Sequence, residues 1–267
     1  MFYGRINQYI ILSRVWNALL AAAVCVYSFL IAEGNFAIDR LEVLLLSLGI
    51  FFLVAFANAH NDTTDFNIDK INRPNRPLPS GKMSFKAAYI AALAWFFIAM
   101  ILGVIAGFKF ALLFAAVGSL CFTYNRFLKG LPLVGNFTVA LLTTTPIIVP
   151  VIKLGLPQAK LFTLAFFAFM LTFMREITKD IEDINGDKAL GLKTFPVICG
   201  VNLSLSLVFI CSFQCLVLLA LFRPFLLAAV APCLALSAIF ACLKKWRLSQ
   251  VAIKITMLAG IAGFAIL

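Results

Sequence analysis

The stretch Ile50-Phe51-Phe52-Leu53-Val54-Ala55-Phe56-Ala57-Asn58-Ala59-His60-Asn61-Asp62-Thr63-Thr64-Asp65-Phe66-Asn67-Ile68-Asp69 joins two opposite chemistries. Its first half closes an apolar run that begins near Leu41. About 20 mostly apolar residues are enough to cross a bilayer as a helix. Its second half gathers three carboxylates within eight positions. Like charges repel, so folding alone gives no reason to place them there.

A second polar stretch answers the first: Arg175-Glu176-Ile177-Thr178-Lys179-Asp180-Ile181-Glu182-Asp183-Ile184-Asn185-Gly186-Asp187. Eight of the chain's 11 acids lie in these two places; the others are Glu33, Asp39 and Glu42. A greasy chain that pools its acids in two places is expected to hold a cation there.

Composition sets the class. The 267 residues are 63% hydrophobic and 12% charged, against roughly 25% charged in a soluble domain. An integral membrane protein follows. Nine apolar runs are long enough to span, at about 13–32, 41–59, 86–107, 109–126, 136–153, 159–178, 200–222, 224–243 and 249–267. They are continuously apolar rather than alternating, which favours helices over barrel strands. The expectation is an all-α protein: one transmembrane domain over 1–267, nine helices, and polar loops after helices 2 and 6. No cleavable leader is evident, since the first run is long enough to span.

The net charge of +11 is unevenly spread over the connections. One side holds 17 basic residues, including Arg5, Arg14, Lys70, Arg76, Lys129, Lys179, Lys193 and Lys244; the other holds Arg40, Lys109, Lys153, Lys160 and Arg223. The positive-inside rule places the N-terminus and both acidic stretches at the cytoplasmic face of the cell membrane, and the C-terminus outside. Basic charge facing anionic lipid explains the surplus, and no basic run suggests nucleic acid. Seven cysteines without a CxxC pair, and a single histidine, exclude a Cys/His zinc set.

Spacing gives the chemistry. Asn61, Asp65 and Asp69 step by four, so on a helix they share one face. Arg175, Lys179, Asp183 and Asp187 step by four as well, and Glu176, Asp180, Asp183 and Asp187 make an overlapping acidic stripe. Hard oxygen ligands suit Mg²⁺, which takes one or two carboxylates together with phosphate oxygens and water. A Lys or Arg on the same face suits the phosphate. The two stretches are therefore expected to serve as halves of one diphosphate site. A solvated loop and an ion pathway are the competing readings. Acids contribute little to topology, and a pathway would place them near mid-membrane. Each stretch follows an even-numbered helix, which suggests a weak internal repeat. Pro74, Pro77 and Pro79 predict irregular chain after Asp69.

These residues resemble the UbiA superfamily of intramembrane prenyltransferases. The pattern NDxxDxxxD is met by Asn61, Asp62, Asp65 and Asp69. Arg175, Lys179, Asp180, Asp183 and Asp187 meet the second motif, and Asn75-Arg76-Pro77-Leu78-Pro79-Ser80-Gly81 is similar to the family's NRPxxSG element. The resemblance covers essentially the whole chain. Leu128-Lys129-Gly130 to Asn136 and Gly191-Leu192-Lys193-Thr194 to Pro196 look most like the branch that alkylates a prenylated glyceryl phosphate to an ether lipid.

The resemblance implies a prenyl diphosphate donor, geranylgeranyl in that branch, a lipid-soluble acceptor and Mg²⁺. It implies Asn61, Asp65, Asp69, Asp183 and Asp187 as metal-site groups, with Asp62 and Asp180 in support. Lys179 is expected to hold the diphosphate, followed by Arg76, Lys129 and Arg175, with Arg14 and Asn17 at the start of the first span. An acceptor bearing its own phosphate needs a further cation, for which Arg14, Lys82 and Lys193 stand as candidates. Phe51, Phe52, Phe56, Phe166, Phe169 and Phe173 are candidates for a prenyl tunnel. Beside His60 they have a plainer use in packing. Two other readings remain: the same chemistry on an aromatic acceptor, and a transporter without chemistry.

Overall fold

A computed structural model describes residues 2–32, 39–155, 159–222 and 224–264. Glu33, Arg223, Ala265, Ile266 and Leu267 lie outside the described residues, as does the side chain of Arg5. Every regular element among the described residues is helical. Six helices are long and apolar enough to cross a membrane: Arg40–Thr64, Phe85–Ala106, Phe108–Leu128, Ala159–Glu182, Phe195–Leu221 and Pro224–Cys242; two bent pairs raise the number to eight. The ninth expected span coincides with Trp246–Phe264. That helix carries Arg247, Gln250 and Lys254 and is not among the eight.

The chain divides into two compact units, Met1–Phe127 with Thr145–Pro157, and Leu128–Thr144 with Gln158–Leu267. In the first, α1 (Phe2–Ser13), α2 (Val15–Ile31), α3 (Arg40–Thr64), α4 (Phe66–Asn72), α5 (Phe85–Ala106) and α6 (Phe108–Thr123) are joined by α8 (Thr145–Leu154). The long α3 packs on α5 and α2. A Cβ on Gly49 of α3 would stand 2.4 Å from the Phe114 ring, so the missing side chain is what lets α6 approach.

In the second unit, α9 (Ala159–Glu182) is the central helix. It packs on α7 (Val134–Thr143), α11 (Phe195–Phe222) and α13 (Trp246–Phe264); α10 (Ile184–Ala189) follows it, and α12 (Leu227–Cys242) packs on α13. The amphipathic pattern of α9 explains its place: Leu161, Leu164, Leu171, Met174 and Ile177 are fully buried on one face.

The breaks depart from the continuous runs. The first expected span is α1 and α2, bent by 52° at Arg14, and the helix begins well before residue 13. The fifth is α7 and α8, bent by 52° at Thr144. Pro146 and Pro150 remove two amide donors there, and proline in a helix bends it for that reason. The loop after Asp69 starts later than the prolines suggested, with α4 reaching Asn72. Pro74 constrains the residue before it, and Arg73 is the first to leave helical geometry (φ −145°).

Candidate active site

The first acidic stretch crosses a helix break. α3 ends at Thr64, Asp65 takes φ −84° and ψ 6°, and α4 restarts at Phe66. The four-residue ladder nonetheless continues: Asp65 N donates to Asn61 O (2.9 Å), Asp69 N to Asp65 O (2.7 Å) and Arg73 N to Asp69 O (2.8 Å). Asn61, Asp65 and Asp69 therefore keep their common face, as their spacing required. Asp62, Asp65 and Asp69 are buried.

Buried carboxylates need partners. Arg76 supplies one guanidinium to two of them, Nη1 to Asp69 Oδ2 at 2.5 Å and to Asp62 Oδ1 at 3.0 Å. Arg14 Nη2 reaches Asp62 Oδ1 at 2.7 Å and its Nη1 reaches Asn58 Oδ1 at 3.0 Å. Asn61 Nδ2 donates to Asp65 Oδ2 at 2.8 Å. Burial pushes the Asp69 carboxyl above the ordinary carboxylate range, against the pull of Arg76.

Arg14 holds a left-handed backbone (φ 47°, ψ 56°). That region costs a non-glycine residue about 1–2 kcal/mol. Tertiary bonds hold the strain in place: Asn58 accepts from the Arg14 guanidinium and donates to Ser13 O (3.0 Å). Non-glycine strain of this kind gathers at functional sites. Asn17, by contrast, is exposed.

His60 has a structural setting. Its Nδ1 pairs with Asn125 Nδ2 at 2.7 Å, and its ring lies against Phe56 and Phe122. Asn125 stands in a π-helical turn, Tyr124–Leu128. Neither Asn58 nor Asn125 stood out in the sequence. A polar residue one turn before an acidic motif was the only available signal for Asn58.

The second stretch repeats the device. α9 ends at Glu182, Asp183 takes φ −89° and ψ 4°, and α10 restarts at Ile184. Asp183 N donates to Lys179 O (2.9 Å) and Asp187 N to Asp183 O (3.0 Å). Asp187 is buried, and its Oδ2 accepts from Thr194 Oγ1 at 3.0 Å. Burial raises the Asp187 carboxyl above the ordinary range. The Thr194 bond opposes it, Asp183 adds to it, and the charges of Lys129 and Lys179 oppose it further.

One residue departs from its expected company. Glu176 belongs to the acidic stripe by spacing, yet its Oε1 accepts from Arg175 Nη1 (2.7 Å) and its Oε2 from Lys179 Nζ (2.8 Å). It is the counter-ion that holds both cations in place. The Glu176–Lys179 spacing of three is the signal that sequence reasoning passed over. Among the described residues Arg175 Nε is buried without a hydrogen-bond partner.

Asn136 Nδ2 donates to Asp180 Oδ2 at 2.7 Å. Gly135 brings it there: a Cβ at that position would lie 3.1 Å from Leu128 O and 3.2 Å from Lys129 O. Lys193 is exposed, and its backbone N donates to Gly130 O (3.1 Å). On α9, Phe166 and Phe169 line an open groove of about 500 Å³ with Phe162, Thr144 and Leu218. Phe169 stacks on Phe173 and meets Phe137 edge-on. Ten residues separate Phe169 from Lys179, about 15 Å along the helix.

The donors are hard oxygens, as Mg²⁺ requires. Among the described residues no three His, Cys, Asp or Glu side chains form an all-protein cage. Mg²⁺ seldom uses one, since substrate phosphates and water complete its shell. The residues present therefore fit a metal held jointly with a phosphorylated ligand.

Apolar helices that end in two carboxylate sets, each with its own cations, define among the described residues an all-helical protein of the membrane class. The chain belongs to the UbiA prenyltransferase family, whose profile matches residues 18–263. It is 43% identical over 199 residues to digeranylgeranylglyceryl phosphate synthase of Pyrococcus furiosus, covering 73% of this chain and 70% of that one. A solved structure of a digeranylgeranylglyceryl phosphate synthase in membranes aligns at TM-score 0.73 and 26% identity, over 98% of this chain and 99% of that one. A UbiA homologue from Archaeoglobus fulgidus bound to GPP and Mg²⁺ shares the fold at TM-score 0.68 and 19% identity, over 96% and 98%.

Proposed function

We propose that this chain transfers a geranylgeranyl group from geranylgeranyl diphosphate to the free hydroxyl of geranylgeranylglyceryl phosphate, forming an ether lipid precursor. The observation that carries the reading is the 43% identity to the Pyrococcus furiosus synthase over 199 residues. Mg²⁺ is the proposed cofactor, as in the Archaeoglobus fulgidus homologue bound to GPP and Mg²⁺.

Asn61, Asp65, Asp69, Asp183 and Asp187 would hold the metal, directly or through water. When bound, it neutralises charge that develops on the leaving diphosphate. Lys179 and Arg175, fixed by Glu176, hold phosphate oxygens; Lys129 adds charge beside them. Arg76 and Arg14 keep Asp62 and Asp69 in place and supply the cations of the first stretch. Asn17 and Lys193, both exposed, are assigned contacts with the substrates at the membrane surface, and Asp180 is a supporting ligand fixed by Asn136. The prenyl chain lies along the aromatic groove of α9. As the C1–O bond of the donor breaks, the diphosphate leaves with the bonding pair, the acceptor oxygen bonds to C1, and the hydroxyl proton passes to the released diphosphate or to water. Excluding water from this step is the task of the apolar lining.

The same reading makes the chain one domain over 1–267 with nine spans, Trp246–Phe264 being the ninth. The N-terminus and both acidic stretches face the cytoplasm, and the cell membrane is its place.

Purified protein with geranylgeranyl diphosphate, Mg²⁺ and a panel of acceptors tests the function. Turnover is expected with geranylgeranylglyceryl phosphate and not with hydroxybenzoate, naphthoate or homogentisate. Turnover with an aromatic acid alone would sink the lipid reading.

A further inference from the structure

The acceptor proposed above carries a phosphate that neither acidic stretch accounts for, and the first unit holds a cavity that the steps above leave unused. It is a partly open cavity of about 370 Å³, lined by Gln8 and Tyr9 of α1 and by Lys82, Met83, Ser84 and Ala87 at the start of α5. Sites for small molecules run from roughly 300 to 1,000 Å³, so the space suits a headgroup. α5 is one of the helices long and apolar enough to cross a membrane. The cavity therefore lies at one end of a span, where a lipid presents its polar group.

The lining selects the ligand's charge. Among the described residues Lys82 is its one cation, and no acid lines it. No Asp or Glu occurs between Asp69 and Glu176, nor before Glu33. Ser84 Oγ accepts from Ala87 N at 3.2 Å, which leaves its own proton to donate. With the Gln8 amide and the Tyr9 hydroxyl, the cavity offers four donor groups and one positive charge. Phosphate oxygens are acceptors only, and charge-assisted bonds are the strong ones.

The competing cations are engaged or stand elsewhere. The Arg14 guanidinium is shared between Asn58 and Asp62. Lys193 belongs to the second unit and lines neither cavity described. Lys82 is also tied to the first acidic stretch through a compact loop. Ser80 N donates to Arg76 O (3.0 Å), Gly81 N to Leu78 O (3.1 Å) and Met83 N to Pro77 O (3.1 Å). Gly81 takes φ 72° in that loop, a value glycine adopts without strain.

We propose that the cavity of Gln8, Tyr9, Lys82 and Ser84 is a binding site for the phosphate of a lipid headgroup, and that in turnover it receives the phosphate of the acceptor. The assignment to the acceptor rests on the function proposed above; the phosphate site itself does not. Bulk anionic phospholipid offers the same chemistry, so the test separates the two sources.

Wild type, Lys82→Gln and Ala87→Leu would be placed in phosphatidylcholine nanodiscs with and without phosphatidylglycerol. Turnover is compared for geranylgeranylglyceryl phosphate and for its unphosphorylated alcohol, and phospholipid retention is read by native mass spectrometry. In Lys82→Gln, the preference in kcat/KM for the phosphorylated acceptor is expected to fall about tenfold, the loss of one charge-assisted bond. The KM for the donor is expected to stay within about twofold, because the site serves the other substrate. Ala87→Leu fills the cavity and is expected to act in the same direction with the charge intact. Loss of phosphatidylglycerol retention with no change in acceptor preference upholds a phosphate site and assigns it to membrane lipid. Unchanged preference together with unchanged retention overturns the proposal. Should neither acceptor turn over, the function proposed above fails, and the retention measurement alone decides the site.

Discussion

The two acidic stretches share a backbone and differ in how their charges are balanced. Each has a helix broken at an aspartate with nearly the same angles, φ −84° and ψ 6° at Asp65, φ −89° and ψ 4° at Asp183. Each resumes in a short helix whose own aspartate, Asp69 or Asp187, is buried and raised by burial. In the first, Arg14 from a remote helix and Arg76 from the loop that follows bind the aspartates directly. In the second, the cations bind Glu176, which stands outside the aspartate series. Asp180 accepts from an amide and Asp187 from a hydroxyl. A repeated scaffold thus carries two electrostatic tasks. The first stretch is closed on itself, and the second presents Arg175 and Lys179 beside Asp180 and Asp183.

The largest effects test the shared half of this comparison. Asp69→Ala and Asp187→Ala should each lower diphosphate release by about 10³-fold or more, the scale of losing preorganised charge stabilisation. Circular dichroism should show the helices intact. A silent variant at one position would break the equivalence of the stretches.

Next comes the difference between them. Lys179→Gln leaves Glu176 buried with one cation in place of two. Lys179 is 29% exposed, so the stability cost should be about 1–3 kcal/mol, below that of a fully buried pair. Adding Glu176→Gln should restore the melting temperature without restoring turnover. Recovery of both would make the pair structural.

Arg76→Gln removes the bridge between Asp62 and Asp69 and should reduce kcat/KM about tenfold to a hundredfold. It should also change the Mg²⁺ concentration needed for half activity, which a titration reads; Arg76→Lys should recover only part, because a rotatable ammonium does not fix both donors as the planar Nη1 does. Asn136→Ala should cost about 1–2 kcal/mol in stability by leaving Asp180 without its donor. Glu182→Gln is the smallest. Its partner Arg247 is 90% exposed, and ion pairs of that kind contribute about 0–1 kcal/mol.

Helix positions and the shared face of Asn61, Asp65 and Asp69 were legible because both follow from short-range rules: apolar runs of a set length and acids at steps of four. The break at Arg14 was hidden because hydropathy is blind to a single left-handed residue, and the one at Thr144, in ordinary helical geometry, lies within an apolar run that hydropathy reads as continuous. Partners were the least legible. Asp62 finds Arg14 from 48 positions away and Asp180 finds Asn136 from 44, and only tertiary packing makes such pairs. Glu176 was misassigned because its spacing fits the acidic stripe as well as the basic pair, and only side-chain direction separates the two. Lys82 was one cation among several until a cavity set it apart.

The central claim is that both stretches serve one chemical step. Single-turnover release of diphosphate from geranylgeranyl diphosphate, compared among wild type, Asp65→Ala, Asp183→Ala and the double variant, tests it most directly. Groups that act as a unit are non-additive, so the double variant should be no slower than the slower single one. Losses that multiply, or full activity in either single variant, would contradict the account.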